Sequence, residues 1–67
     1  MIRKWFHLHY EDSLSGEHYL VGVQALNEEH AKLIAPSEVE HYFEPMFQVF
    51  LGFMSEDEAE CSGLDEF

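Results

Sequence analysis

Residues 46–54, which read MFQVFLGFM, limit what this chain can fold into more than any other stretch. Seven of the nine residues are large and apolar. In an extended chain they divide into two faces: Phe47, Val49, Leu51 and Phe53 on one, and Met46, Phe50 and Met54 on the other. An apolar run of this length, bounded by Pro45 and Ser55, is typical of a strand covered on both sides. We therefore expect a sheet with this strand at its centre.

Two further strands are predicted before it. In residues 2–10, apolar Phe6, Leu8 and Tyr10 alternate with other residues, and this period of two indicates a strand. Residues 18–26 form the second, whose expected core face carries Tyr19, Val21, Val23 and Ala25. Between them, residues 11–16 read EDSLSG and have the composition of a turn. The pattern predicts an antiparallel hairpin.

A short helix is predicted to follow the hairpin. Asn27 is a favourable N-cap, and Glu28 and Glu29 stand in the first turn, where carboxylates favour the positive end of the helix dipole. Ala31, Ile34 and Ala35 recur at helical spacing and form its apolar stripe. We expect Pro36 to end this helix after about two turns, because proline disrupts a helix interior.

Residues 37–44 fit two structures. Ser37-Glu38-Val39-Glu40 matches a capping box and would start another short helix. Val39, His41 and Phe43 also alternate with Glu38, Glu40, Tyr42 and Glu44, as in an edge strand, and the extended alternative is the one we favour.

The C-terminal residues predict a capped acidic helix. Ser55 and Glu58 form a capping box, and Gly63 stands where a left-handed C-cap is expected. Leu64 and Phe67 are then free to dock on the sheet. The chain as a whole predicts a single α+β domain, residues 1–67. It comprises a three- to four-stranded antiparallel sheet, one helix packed on it and this short acidic C-terminal helix.

The charge is extreme for a chain that should fold. Fourteen acids stand against three bases, which gives a formal net charge of −11, yet 46% of the residues are hydrophobic and 15% aromatic. A disordered acidic chain is poor in such residues. Direct binding of nucleic acid is disfavoured, because phosphate contacts need clustered Lys and Arg. No run approaches the roughly 20 apolar residues of a membrane span, and no signal peptide is visible, so we expect a cytoplasmic protein without a membrane partner.

Catalytic and cofactor chemistry have little support in the sequence. It contains no phosphate-binding glycine loop, nucleophile elbow or HExxH motif, so we expect neither an enzyme nor a bound cofactor. Cys61 is alone and cannot form an internal disulfide. His7, His9 and His18 could share one face of the hairpin and ligate zinc, but solvated histidines on an anionic sheet are the favoured interpretation.

The acids are spaced in a way that could imitate nucleic acid. Duplex DNA presents one charge per about 3.4 Å of axis on each strand. Carboxylates two apart on a strand, such as Glu38 and Glu40, lie about 6.6–6.8 Å apart, and Glu56 and Glu60 stand one helical turn apart. Such rows could meet rows of Lys and Arg in a basic groove.

With acidic segments 38–44 and 56–66 around an aromatic core, the chain resembles small phage-borne inhibitors of bacterial defence, including anti-CRISPR proteins and other DNA mimics. The resemblance implies a non-catalytic inhibitor in the bacterial cytoplasm that binds the nucleic-acid-binding groove of a basic protein or ribonucleoprotein complex. The residues that we expect to contact the partner are Glu38, Glu40, Glu44, Glu56, Asp57, Glu58, Glu60 and the aromatic anchors Trp5 and Tyr42. The alternatives are a self-associating adaptor that forms a homodimer through the sheet, and a histidine-based metal-binding module.

Overall fold

The computed structural model describes residues 2–67 and shows an α+β fold. Its elements, in chain order, are β1 (Lys4–Asp12), β2 (His18–Ala25), α1 (Glu28–Val39), a 3-10 turn (Pro45–Phe47), β3 (Gln48–Met54) and α2 (Glu56–Ser62). The three strands form one antiparallel sheet in the order β2-β1-β3. The α+β class and the antiparallel sheet are therefore confirmed. No helix within residues 2–67 is long and apolar enough to cross a membrane.

The predicted hairpin forms the centre of the sheet. Leu8 pairs with Val21 and Tyr10 with Tyr19, so these four side chains project from the same face. Leu8 and Val21 are completely buried. The predicted core positions of both strands are confirmed, since the buried cluster contains Leu8, Tyr10, Tyr19, Val21, Val23 and Ala25, with Phe6 packed against it. The period of two was sufficient to predict these buried positions, because one face of each strand lies under α1.

Helix α1 is longer than its sequence predicts. Its N-cap is Asn27, as expected, and the Asn27 side chain accepts a hydrogen bond from the His30 amide. The prediction that Pro36 ends the helix is wrong, because the helix continues through it to Val39. Val39 is 3% exposed and belongs to the core cluster with Ala31 and Ala35. Burial of Val39 in that cluster offsets the backbone hydrogen bond that Pro36 is unable to donate.

Both interpretations of residues 37–44 are also wrong. Ser37 does not cap a new helix, since it lies inside α1 and its hydroxyl donates to the Ile34 carbonyl. Glu38 and Val39 are helical too, and residues 40–43 form turns in place of an edge strand. The Tyr42 and Phe43 amides both donate to the Val39 carbonyl, which closes the end of the helix.

Strand β3 lies at an edge of the sheet and not at its centre. Only β1 pairs with it, and none of its residues is buried. The register with β1 shifts between His9 and Tyr10, which leaves Leu51 as an extra residue and puts Phe50 and Phe53 on the core face together. The predicted alternation, which separated those two aromatics, is therefore wrong. The β-bulge changes the alternation because the extra residue has no partner on β1.

The opposite edge of the sheet is closed by the C-terminal residues. After the Ser55–Glu58 capping box and the left-handed Gly63 cap of α2, residues 65–67 run parallel to β2. The Leu20 amide donates to the Asp65 carbonyl, the Phe67 amide to Leu20, and the Gly22 amide to Phe67, at 2.8–2.9 Å. These bonds form an isolated parallel bridge to β2; we call residues 65–67 the C-terminal strand, and its pairing docks Phe67 on the sheet.

Candidate functional site

The face of the sheet opposite α1 carries the polar chemistry of the chain. Because side chains alternate along a strand, His7 and Leu20 point away from the core positions Leu8 and Val21. Helix α2 lies on this second face, where its Ala59 comes close to Leu20. Leu20 is only 1% exposed, although it does not belong to the cluster under α1. The second face therefore has a small apolar floor of its own.

Two shallow depressions that share His7, Glu56 and Glu66 open on this face, and we call them together the acidic groove. Its lining comprises Trp5, His7, Leu20, Glu56, Ala59, Glu60, Leu64 and Glu66. Glu56, Ala59 and Glu60 come from one side of α2, because residues three and four apart share a face of a helix. The groove thus brings three carboxylates to an apolar base, an arrangement that suits the charged end and the methylene stem of a Lys or Arg side chain.

Glu66 is held in the groove by the absence of a side chain at Gly22. A β-carbon built on Gly22 would lie 3.1 Å from the Glu66 Cδ atom, so the Glu66 side chain passes directly over this glycine. Gly22 pairs with His7 on β1, and the Glu66 carboxylate contacts the His7 Nδ1 atom there. Sequence reasoning did not select Glu66 as a site residue. No local pattern could have found it, because its position depends on the pairing of the C-terminal strand with β2.

Trp5 stands at one end of the groove with its indole 63% exposed. Trp5 and Glu56 line one of the two depressions of the acidic groove, and Glu56 and Glu60 line the other. Glu58 has a structural task, because its carboxylate accepts from the Ser55 amide in the capping box. Asp57 is exposed in the first turn of α2 and does not line the acidic groove.

The other predicted partner residues lie away from the groove. Glu38 belongs to the last turn of α1, and Glu40 and Glu44 belong to the segment after it, so this group sits beside the helix that covers the opposite face. Tyr42 is 67% exposed, and its ring centroid lies 5.3 Å from that of Phe67. None of these four residues lines the acidic groove.

The carboxylates have few internal cationic partners. Twelve of the fourteen acids are exposed, and only Glu11 and Asp12 are partly buried. Within residues 2–67, the ion pairs join carboxylates to histidines alone, Glu66 to His7 and Glu11 to His18. The Lys32 ammonium lies over the Phe50 ring, 5.2 Å from its centroid. The negative field is consequently left for an external cation to neutralise.

The histidines do not assemble as the zinc hypothesis requires. His7 contacts Glu66, whereas the His9 Nε2 and His18 Nδ1 atoms lie 2.9 Å apart. Burial, then the neighbouring His18, lowers the pKa of His9, while Glu11 opposes that shift. In the described part of the chain, no group of three or more His, Cys, Asp or Glu residues is placed to hold a metal ion. A three-histidine zinc site is thus not formed.

An aromatic cluster lies where α1, β2 and the C-terminal strand meet. The Tyr19 and Phe43 rings stack with centroids 4.3 Å apart, and Phe67 packs edge-on against both. Tyr19 also donates a hydrogen bond to the Gln48 side chain. Burial raises the pKa of Tyr19 to about 12, with smaller contributions from Tyr10 and Asp12. The cluster is structural, because its one buried polar group is satisfied inside the protein.

The acidic groove carries groups that can contact a cation. It offers carboxylates, one imidazole and an indole, and none of its lining residues carries a hydroxyl or thiol nucleophile. Comparisons of the chain with protein-family models, with curated proteins and with solved structures found no match in any of the three. The function is therefore argued from this surface.

Proposed function

We propose that the chain is a non-catalytic inhibitor that binds a basic, nucleic-acid-binding surface of a bacterial defence complex in the cytoplasm. The observation that carries the proposal is the convergence of Glu56, Glu60 and Glu66 beside the exposed Trp5. Carboxylates held on a capped helix and a paired strand meet Lys and Arg side chains at a low cost in conformational entropy. An exposed indole beside them supplies the kind of anchor that contributes most to binding at protein interfaces.

The charge of the whole chain supports the same proposal. A net charge of −11 steers a small protein toward a cationic surface and speeds association, an effect that salt screens. The groove then determines which basic surface fits. The remaining predicted contacts do not line the groove and contribute through the long-range field; they are Glu38, Glu40, Tyr42, Glu44, Asp57 and Glu58.

The test compares two variants that lose equal charge. Glu56→Gln with Glu60→Gln changes the groove, and Glu38→Gln with Glu40→Gln changes the end of α1, so each pair removes two negative charges. A partner captured from bacterial lysate is purified, and its affinity for both variants is measured across a salt series, with duplex DNA as competitor. We expect the groove variant to bind at least about tenfold more weakly than wild type and the α1 variant to lose much less. DNA should displace the wild-type chain.

Equal losses in the two variants would show that net charge, and not the groove, determines binding. A partner indifferent to both salt and DNA would contradict nucleic-acid mimicry altogether. Circular dichroism of each variant separates a binding defect from a folding defect.

A second candidate function is self-association through the open edge of β3, which would make the chain a homodimeric adaptor. The supporting observation is that Gln48–Met54 contains no charged residue and leaves Val49 and Leu51 each nearly half exposed. Uncharged edge strands readily pair with further strands. Repulsion between two chains of charge −11 opposes the dimer, so its population should rise with salt. Sedimentation equilibrium at low and high salt tests this, with Leu51→Lys as the disrupting variant and Leu33→Lys on α1 as the matched control.

A further inference from the structure

The hairpin places two imidazoles from neighbouring strands in contact on the groove side of the sheet. His9 lies on β1 and His18 on β2, and they are diagonal neighbours, because His9 pairs with Leu20 and His18 with Glu11. The His9 Nε2 and His18 Nδ1 atoms are 2.9 Å apart, and the ring centroids are 5.0 Å apart. A neutral imidazole has one protonated and one free ring nitrogen. The two facing nitrogens share a hydrogen bond, in which one ring donates its N–H. Both become free to bind an ion once that ring carries its proton on its far nitrogen instead.

Glu11 favours that tautomer for His18. Its Oε2 atom lies 3.5 Å from the His18 Nε2 atom, which is the nitrogen pointing away from His9. A histidine that binds a metal through one nitrogen commonly donates its other N–H to a carboxylate, which orients the ring and makes the ligand more basic. The 3.5 Å contact is longer than a hydrogen bond, but it puts the Glu11 carboxylate on the side of His18 where an outer carboxylate of a metal ligand stands.

We propose that His9 and His18 bind a divalent late first-row transition ion, with Cu(II) bound most tightly. An ion that binds each nitrogen at about 2.0–2.1 Å, with the two nitrogens still 2.9 Å apart, has a nitrogen–ion–nitrogen angle of about 90°. That is the angle between adjacent ligands of a square or tetragonal ion, as preferred by Cu(II) and Ni(II), whereas a tetrahedral Zn(II) site needs nitrogens about 3.3 Å apart. The order of affinities among these ions also places Cu(II) highest.

The surroundings suit a site completed by water. The His18 side chain is 42% accessible and His9 is partly buried, so both rings have room to turn their lone pairs toward a shared ion. His7, the next residue along this face of β1, is engaged by Glu66 and is not a third ligand. Since the ion joins β1 to β2, it should stabilise the folded chain.

The test is a titration of Cu(II) chloride into the tag-free chain at pH 7.4 in a non-coordinating buffer. Electron paramagnetic resonance reports the geometry and the number of nitrogen ligands, and the thermal unfolding midpoint reports stabilisation. We expect one equivalent of Cu(II) to give an axial spectrum with two imidazole nitrogens and to raise the midpoint. Zn(II) should bind more weakly.

Three variants locate the ion. His9→Gln and His18→Gln should each weaken Cu(II) binding by at least about tenfold. The exposed His41 lies in the turn after α1 and not in the hairpin, so His41→Gln should bind as wild type does. A smaller loss in His18→Gln would overturn the proposal, as would tighter binding of Zn(II) than of Cu(II). If circular dichroism shows that His9→Gln does not fold, the copper affinity of His18→Gln, a change at the more exposed histidine, tests the proposal alone. Copper bound by the terminal amine is common to all variants and does not affect the comparison.

Discussion

Glu66 reaches His7 across a strand, and it does so over Gly22, whose missing side chain leaves the path open. Gly22 is the residue that pairs with His7, so one glycine on β2 permits contact between β1 and the C-terminal strand. The same contact brings Glu66 beside Glu56 and Glu60 in the acidic groove. The fold of the chain end and the charge of the candidate site thus depend on one pair of residues.

A double-mutant cycle tests this relationship. His7→Gln and Glu66→Gln, alone and together, should give a coupling free energy of about 0.2–1 kcal/mol in urea denaturation, the range for partly exposed ion pairs. With Gly22→Val as background, the coupling should fall to zero, because the valine side chain fills the space that Glu66 crosses. Valine also favours strands, so the coupling, and not the total stability, is the measurement. An unchanged coupling in that background would show that Glu66 reaches His7 by another path.

Deletion of residues 65–67 should lower stability more than the loss of one side chain. It removes three backbone hydrogen bonds to β2, each contributing about 0.5–1.5 kcal/mol, together with the Phe67 ring that packs on Tyr19 and Phe43. Phe67→Ala is the matched control, because it keeps the backbone pairing. Urea midpoints of the two variants give the difference. If they coincide, pairing of the C-terminal strand with β2 contributes nothing.

Local patterns predicted the parts of the fold that local physics determines. The alternation of Leu8 and Tyr10 predicted a half-buried strand, and Ser55 with Glu58 predicted the capped start of α2, since both depend on neighbours in sequence. The order of the strands depends on long-range competition for the centre. β1 is the central strand although residues 46–54 are more apolar. The sequence also contains no pattern that predicts the bulge at Leu51.

The candidate site was predictable in its residue types but only partly in its membership. Trp5, Glu56 and Glu60 were chosen as an exposed aromatic and exposed acids, and the structure groups them. Glu38 and Glu40 were chosen on the same grounds and lie elsewhere, because the extension of α1 through Pro36 places them at the end of that helix. Glu66 needed the register of the C-terminal strand, which no local pattern contains.

Pro36→Ala should stabilise the chain. Pro36 lies inside α1, where it has no N–H to donate to the Lys32 carbonyl and its ring crowds the preceding turn. Alanine restores the hydrogen bond and should raise the free energy of unfolding by about 1–3 kcal/mol, read from the urea midpoint. Pro45→Ala is the control, since Pro45 opens the 3-10 turn, where a fixed φ is favourable; it should bring no gain. A loss of stability in Pro36→Ala would contradict a continuous α1.

Replacement by alanine should change the stability of the chain by different amounts at two serines, Ser55 and Ser37. The Ser55 hydroxyl accepts from the Glu58 amide at the start of α2, so Ser55→Ala should cost about 0.5–2 kcal/mol. The Ser37 hydroxyl donates to the Ile34 carbonyl inside α1, a bond that an exposed helix does not need, and Ser37→Ala should change stability by less than about 0.5 kcal/mol. Far-ultraviolet circular dichroism under urea measures both. Equal effects would show that the capping box does not hold α2.

Stability should fall in alkali through the titration of Tyr19. Its pKa is about 12 in the folded chain and about 10 when unfolded, so the folded state holds this proton more tightly. The contribution is complete below about pH 10 and is lost progressively as pH rises toward 12. Burial also raises the pKa of Tyr10, which adds to the decline.

Urea midpoints between pH 8 and pH 11.5 measure the slope. Tyr19→Phe should be less stable at pH 8, because the hydrogen bond to Gln48 is lost, yet its stability should fall less steeply above pH 10. Tyr42→Phe is the control, since it removes the hydroxyl of a largely exposed tyrosine. A wild-type slope in Tyr19→Phe would mean that the buried phenol is not the group whose titration destabilises the fold. In that case Tyr10, stacked 5.9 Å from Tyr19 in the same core, would have to carry the whole alkaline effect.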